Sequence, residues 1–368
     1  MTITTFGSKL FKRAMLFSLL CAFITITSCS KKDSTPPPPP ADKTALQIKV
    51  ALGDSLNTAT AEGTKPGMYE AGSKAALLTI LSAAKAVVAN AAATQAEVTN
   101  ATAQLQAAVD TYYTHRINEI AAASLVGFWK MNGNAADSSG NKNDGVVTAG
   151  HVFYGAGMPV LTADRFGRAN MAYSFDKGGN IEIPYSTSLN PQQMSLSVWA
   201  KWSSTGRTVN KDTYTMLAMN RWNGYKFQLQ GNHLPFYTVK VLKAVGDTTI
   251  YDRDPTSLFP ITENTWTHLV VTFKNGFMSF YINGDLAYTW DAASSRPVPG
   301  TGLLLTNPIN LVIGQDLPTN KYLTVDASGN LLVDYGGFWT GDMDDVMFYN
   351  VALEGPQVKS IFLNQNTL

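Results

Sequence analysis

The stretch T-W-T-H-L-V-V-T-F-K-N-G-F-M-S-F-Y-I-N-G-D-L-A-Y-T-W, residues 265 to 290, leaves the chain few choices of fold. Its residues read as extended segments interrupted by two Asn-Gly pairs, Asn275-Gly276 and Asn283-Gly284. Asn and Gly both tolerate the positive φ angles of a type I′ turn, so each pair predicts a two-residue hairpin. Three strands therefore follow one another as an antiparallel meander.

The same character runs from about Ser124 onwards. S-L-S-V-W-A-K-W, residues 195 to 202, puts Leu196, Val198 and Ala200 on one face and Ser195, Ser197 and Trp199 on the other, the period of two that a strand requires. Further strands are expected at 226 to 230, 236 to 242, 311 to 314 and 343 to 349. Many short strands with turn residues between them, and no helical period, predict an antiparallel β-sandwich or jelly roll.

Residues 44 to 120 read differently, being alanine-rich with apolar positions at helical intervals. Ala45, Ile48, Leu52, Leu56 and Ala59 mark one helix; Leu77, Ile80, Leu81, Ala84 and Val88 a second; Val98, Ala101, Leu105, Ala108 and Tyr112 a third. Thr94 and Glu97 form a capping box that starts the third, and Gly63, Pro66 and Gly67 separate the first two. A small N-terminal three-helix bundle is expected ahead of the mainly β region.

Before it come Lys9, Lys12 and Arg13, an apolar run from Ala14 to Ile26 that is too short to span a bilayer, and I-T-S-C ending at Cys29. These residues resemble a bacterial lipoprotein signal, which implies cleavage after residue 28 and lipidation of Cys29. The other cysteine, Cys21, falls inside the leader, so a mature chain would keep no thiol for a disulfide. Five consecutive prolines follow in a linker over 29 to 43 and predict a stiff polyproline II spacer. The expected divisions are thus 1–28, 29–43, 44–120 and 124–368. Formal net charge is only +1 across 368 residues, with no clustered basic run, which excludes a nucleic-acid partner.

Two resemblances add to this reading. K-P-G-M-Y-E-A-G-S (65 to 73) and A-T-Q-A-E-V-T-N-A (93 to 101) are similar to the FIVAR modules of bacterial surface proteins, which implies a spacer. L-V-G-F-W-K-M-N-G-N-A-A-D-S-S-G-N-K-N-D-G (125 to 145), S-L-S-V-W-A-K-W, W-T-H-L-V-V-T-F and G-D-M-D-D-V-M-F-Y-N-V-A-L (341 to 353) together resemble a laminin-G-like, concanavalin A-like jelly roll over 124 to 368. The resemblance implies a lectin, an adhesion module or a glycosidase, because that fold hosts all three.

Residue types narrow the choice. Glycoside hydrolysis needs two carboxyl groups roughly 5 to 9.5 Å apart, whereas Glu182, Glu263 and Glu354 are scattered. Asp342, Asp344 and Asp345 stand where the resembled family has a structural turn into its last core strand, which implies a fold role. His115, His151, His233 and His268 show no metal spacing. The chain reads as no enzyme, and binding remains. N-R-W-N-G-Y-K-F-Q (220 to 228) combines rings and polar partners suited to a sugar: Trp222 and Tyr225 with Asn220, Arg221 and Asn223. Trp339 in G-G-F-W-T-G-D offers a second ring. Trp129, Trp199 and Trp266 are expected to pack in the core.

Residues 132 to 145 are rich in oxygen ligands but are not an EF-hand, since Lys142 and Thr148 occupy positions that need glycine and glutamate. The family resemblance makes calcium the one expected cofactor, with Asp137, Asn143 and Asp344 as candidate ligands, against the alternative that Asp137 ties down its own turn. The expectation is a non-catalytic lipoprotein of the outer membrane that binds polysaccharide or glycan, touching the membrane through its anchor alone. The alternatives are a protein-adhesion module and a hydrolase.

Overall fold

The computed structural model describes residues 39–207, 213–230, 232–244, 247–255, 260–291, 308–322 and 337–366. The leader and Cys29 lie outside them. Among the described residues no helix is long and apolar enough to cross a membrane. Residues Ala41–Leu368 form one compact unit.

Among the described residues, fifteen strands build two antiparallel sheets. In chain order they are β1 (Leu125–Trp129), β2 (Val146–Thr148), β3 (Val160–Thr162), β4 (Ala172–Phe175), β5 (Asn180–Ile183), β6 (Met194–Trp202), β7 (Thr213–Met219) and β8 (Tyr225–Gln230). There follow β9 (Leu234–Ala244), β10 (Asp247–Arg253), β11 (Thr267–Lys274), β12 (Phe277–Ile282), β13 (Asp285–Trp290), β14 (Leu311–Ile313) and β15 (Gly341–Tyr349). One sheet runs β13-β12-β11-β6-β15-β4-β3, with β1 also paired to β15, and the other runs β10-β9-β8-β7-β14-β5-β2. The expected sandwich is therefore present.

Alternation decides what the sandwich buries. Leu196, Val198 and Ala200 of β6 face the core, as do Tyr225, Phe227 and Leu229 of β8 and Leu311 and Ile313 of β14, and Trp129, Trp202 and Trp339 fill it. Each leucine, isoleucine, valine or phenylalanine among them contributes about 1.5–3 kcal/mol by leaving water. The meander forms with Lys274 opposite Phe277 and Ile282 opposite Asp285. At the second turn Asn283 (φ 52°) and Gly284 (φ 79°) both take the left-handed conformation, as a type I′ hairpin requires. At the first turn only Gly276 (φ 78°) does, so that turn is not of the expected kind.

A further helix, not among the expected elements, follows β15; a capping box between Glu354 and Gln357 and a proline in its first turn start it, signals that the sequence does carry. Helix α4, labelled here after the three bundle helices α1 (Thr44–Ala59), α2 (Ser73–Ala89) and α3 (Gln95–Thr114), spans Gly355–Gln365. It covers the outer face of β6. Trp199 stacks on Phe362 at 5.6 Å and donates from Nε1 to Gln365 Oε1 at 3.0 Å. Ser195 Oγ accepts from the Leu353 amide at 2.8 Å, and Ser197 Oγ lies 2.8 Å from His268 Nε2. His268, fully buried, thus has the structural place its strand position suggested.

Arg165 ties this layer together. Its Nη1 donates to Asp344 at 2.5 Å, and its Nη2 donates to Asp345 at 2.9 Å and to the Gln365 carbonyl at 2.5 Å. The guanidinium also lies 4.6 Å from the Trp199 ring. A register shift between Asp344 and Met347, with Asp345 at φ 45°, turns both carboxylates toward it. Burial and the neighbouring Asp345 push the Asp344 carboxyl up to about 7 against the pull of Arg165. Burial, then Arg165, push His268 down to about 3.

The bundle follows its sequence closely. Thr94 accepts the Glu97 amide at 3.3 Å while Glu97 accepts the Thr94 amide at 2.8 Å, completing the capping box. Leu46, Leu56, Leu77, Leu81, Leu105 and Tyr112 form its core, whereas Ile48, expected on the inner face, is 63% exposed. The bundle docks on α4. Asn118 Nδ2 donates to Glu354 Oε2 at 2.7 Å, Gln357 Nε2 donates to the Asn118 carbonyl at 3.3 Å, and Ser360 Oγ donates to the Thr64 carbonyl.

The loop after β1 is closed by one carboxylate. Asp137 Oδ1 accepts the amides of Phe128 and Ser139 at 2.9 and 2.8 Å, and Oδ2 accepts Ser139 Oγ and the Asn143 amide at 2.8 and 3.0 Å. Asn143 donates to the Val126 carbonyl, accepts from Ser186 Oγ and offers its own carbonyl to Trp129 Nε1. Asp344 is engaged elsewhere, by Arg165. Asp137 and Asn143 are thus brought together while Asp344 is held by Arg165, and the carboxylate lone pairs that a cation would need already accept hydrogen bonds. Burial acts to raise the Asp137 carboxyl, but the donors, Phe128 first, bring it below the usual range.

Two predictions follow from these contacts. Asp137→Ala strands buried amides and should lower unfolding free energy by about 2–4 kcal/mol, equally in calcium and in chelator; a loss confined to calcium buffer would restore the metal reading. Asp344 holds its proton in the folded state up to about 7, well above an unfolded carboxyl near 3.8, so its contribution to stability falls as pH rises between those values. His268, at about 3 folded against 6.5 unfolded, makes stability fall as pH drops below 6.5. Between pH 4 and 6.5 the two slopes, each about 1.4 kcal/mol per pH unit, oppose one another. Urea titrations across that window should show Asp344→Asn becoming acid-labile relative to the parent and His268→Gln losing stability as pH rises.

Candidate functional site

The outer face of the seven-stranded sheet has no helix over it among the described residues and is polar along its central strands. Lys226 and Gln228 point outward because Tyr225, Phe227 and Leu229 point in. Lys226 lies opposite Ala218 of β7 and Thr238 of β9, and Gln228 opposite Thr215 and Phe236. All of these polar side chains are buried. Thr215 Oγ1 and Gln228 Oε1 have no hydrogen-bond partner among the described residues, a costly state for a buried polar atom.

The turn from β7 to β8 forms the rim. Asn220 (φ 61°) and Arg221 (φ 51°) are consecutive left-handed residues, the second of which is an unusual conformation for arginine and costs of order 1 kcal/mol or more. The turn is held by the Asn223 amide donating to the Asn220 carbonyl at 2.8 Å and by the Lys240 amide donating to the Gly224 carbonyl at 2.7 Å. Lys240 Nζ also reaches Asn223 Oδ1 at 3.4 Å.

What offsets the strain at Arg221 is a buried ion pair. Its Nε donates to Asp316 Oδ2 at 2.6 Å. Asp316, fully buried, is delivered by the segment after β14: Gly314 (φ 94°) turns the chain where any Cβ would sit 2.6 Å from Phe175. The other Asp316 oxygen accepts from the Tyr322 hydroxyl. Tyr322 packs edge-on to Tyr154 at 5.5 Å, and Tyr154 lies 4.8 Å from Phe338. Burial, then Asp316, hold both tyrosine hydroxyls far above their usual range.

Arg221 Nη2, Gln315 Oε1 and Tyr154 Oη are buried without a hydrogen-bond partner in good geometry among the described residues, as are Thr215 Oγ1 and Gln228 Oε1, although the Tyr322 ring lies 5.2 Å from the Arg221 guanidinium. Trp222 is partly exposed at the rim, with the Arg221 guanidinium 5.5 Å and the Lys226 ammonium 6.0 Å from its ring centre, at the outer limit of a cation–π contact.

Of the residues expected to meet a ligand, Asn220, Arg221, Trp222 and Asn223 lie together in this turn. Tyr225 does not: it is fully buried in the sandwich core, donating its hydroxyl to the Leu189 carbonyl at 2.7 Å. Trp339 is likewise a core residue with no exposed surface. In the G-G-F-W run it is Phe338 that faces the outer cluster, because successive residues of extended chain point to opposite sides. Sequence reasoning missed Asp316, Tyr322, Lys226 and Gln228. For Lys226 and Gln228 the alternation in Y-K-F-Q-L-Q was a sufficient signal; for Asp316 and Tyr322 none existed.

The carboxylates weighed for catalysis are committed elsewhere. Asp344 and Asp345 hold Arg165, and Asp342 pairs with Lys201 at 2.6 Å. Glu182 accepts from Asn310 Nδ2 at 3.2 Å and from the Thr319 amide at 2.9 Å.

No curated protein matches the chain. Among solved structures it is similar to domain 4 of AbnA, a GH43 extracellular arabinanase from Geobacillus stearothermophilus solved with arabinotriose, at 19% identity over 65% of this chain and 98% of that one, with a TM-score of 0.45. It is also similar to the receptor-binding domain of botulinum neurotoxin mosaic serotype C/D, at 16% identity and a TM-score of 0.44. The binding domain of Paraclostridial Mosquitocidal Protein 1 is similar at 17% identity with a TM-score of 0.44. Each toxin match covers 66% of this chain, which spans about half of those domains, 51% and 53% respectively. A family model described as the concanavalin A-like lectin/glucanases superfamily matches residues 175–359. The chain belongs to that laminin-G-like family.

Proposed function

We propose that this protein is a non-catalytic carbohydrate-binding protein of the cell envelope, and that the glycan lies against the Asn220–Asn223 turn and the polar outer face beside it. The observation that carries the reading is the group of buried, unpartnered polar atoms behind a partly exposed tryptophan. A pyranose ring offers an apolar face to an indole and hydroxyls to donors and acceptors at its rim. Trp222 supplies the first, and Arg221, Asn223 and Lys226 supply the second.

The non-catalytic part is supported by the state of the carboxylates on this face. Asp316 is bound by Arg221 and Tyr322, and Glu182 by Asn310 and Thr319, so neither is free to pair with a second acid across a sugar. Anchoring through a lipid at Cys29, residence at the outer membrane and a spacer role for the helical bundle belong to the same proposal and rest on the sequence of residues 1–120.

Affinity electrophoresis of the purified protein against a panel of soluble polysaccharides tests the reading. At least one gel should retard it. Trp222→Ala should weaken that retardation about tenfold or more without changing the far-UV spectrum, since the ring lies at the rim. Passage through every gel unretarded would refute the proposal.

A further inference from the structure

We infer that this face selects an anionic sugar, through an oxyanion on the ring that meets Arg221 and Lys226 together; the inference rests on the glycan-binding proposal above. Charge bookkeeping within the buried cluster motivates it. Two cations, Arg221 and Lys226, face one buried carboxylate, Asp316. That carboxylate is already used on both oxygens, by Arg221 Nε and by the Tyr322 hydroxyl.

The geometry of Arg221 sharpens the point. Its bond to Asp316 is made through Nε alone at 2.6 Å, and Nη2 is buried with no partner. A guanidinium presents two nitrogens along an edge that matches the two oxygens of a carboxylate or sulfate, and here that edge is not met by Asp316. Lys226 has no hydrogen-bond partner among the described residues, and it shares the Trp222 ring with Arg221. Asp252, the other acid near Lys226, lies on β10 two strands away and is largely exposed, so it neutralises the ammonium weakly.

Burial lowers the Lys226 pKa, Asp316 raises it and Arg221 lowers it again. An anion placed between the two cations would relieve the cost of burying both. A neutral sugar would not, because its hydroxyls satisfy hydrogen bonds without balancing charge. Trp222 supplies the platform beside the cations, so a ring stacked there carries a substituent at C5 or C6 within reach of them. Both a uronate carboxylate and a sulfate ester have the required chemistry.

The test measures binding of the purified protein to polygalacturonate and alginate, to a sulfated glycan such as chondroitin sulfate, and to neutral dextran, xylan and laminarin at fixed ionic strength. Lys226→Met, which keeps the stem and removes the charge, should weaken binding of the acidic glycan about tenfold or more. Arg221→Lys, which keeps a cation for Asp316 but loses the planar edge, should do the same. Lys85→Met, on the helical bundle and with equal loss of charge, should leave binding unchanged; an equal loss there would mean non-specific attraction of a polyanion and overturn the inference. Preference among the acidic glycans separates carboxylate from sulfate. Equal binding of neutral glycans, unaffected by Lys226→Met and Arg221→Lys, would overturn the anionic selectivity and leave the lectin reading standing. Binding to none of the glycans would overturn both.

Discussion

The period of two along a β-strand is the constraint on which the rest of this molecule depends. Every strand has two faces, and a sandwich buries only one of them in its core. The other must be dealt with separately on each sheet, and this protein does so in two ways. On the eight-stranded sheet the outer residues Ser195, Ser197 and Trp199 are covered by α4, which supplies Phe362, Gln365 and nearby backbone groups as partners. On the seven-stranded sheet the outer residues Thr215, Lys226, Gln228 and Thr238 are polar, and Thr215 Oγ1 and Gln228 Oε1 have no partner among the described residues.

Two arginines show how differently those faces are finished. Arg165 meets two carboxylates and a carbonyl and is stacked on Trp199. It works as a cross-link between β15, the loop before β4 and α4. Arg221 meets one carboxylate through one nitrogen and keeps a buried nitrogen without a partner. Among the described residues each arginine keeps one buried nitrogen without a partner, Nε in Arg165 and Nη2 in Arg221, so what separates them is that Arg165 meets two acids and Arg221 one. The left-handed backbone at Asn220 and Arg221 agrees with that distinction, since strain of this kind persists where surrounding contacts over-determine it.

Much of the fold was legible because local rules and tertiary demands agree over most of the chain. Thr94 and Glu97 cap α3 as written, and the Asn283-Gly284 turn is of the type that its residues favour. Disagreement arose where a residue's partner lies far away in sequence. Tyr225 and Trp339 were read as surface rings from the glycines and polar residues around them, yet each is a core residue on a strand or extended segment whose neighbours point outward. Helix α4 is announced by its capping box and proline, but its place on the sheet is not. It is held by Trp199, Arg165 and the docked bundle, contacts that span more than a hundred positions.

The sequence by itself determined that a helical bundle precedes a β-sandwich, that alternation assigns Leu196, Val198 and Ala200 to a core, and that Asn220 to Asn223 set polar residues around a tryptophan. It could do so because propensity, turn chemistry and periodicity are properties of adjacent residues. Only the tertiary structure decided that Asp137 closes its own loop, that Asp344 belongs to Arg165, and that Asp316, almost a hundred residues downstream, anchors Arg221 in front of Lys226. The reason is physical: a buried charge chooses its partner by distance and desolvation, and neither quantity is written in local sequence.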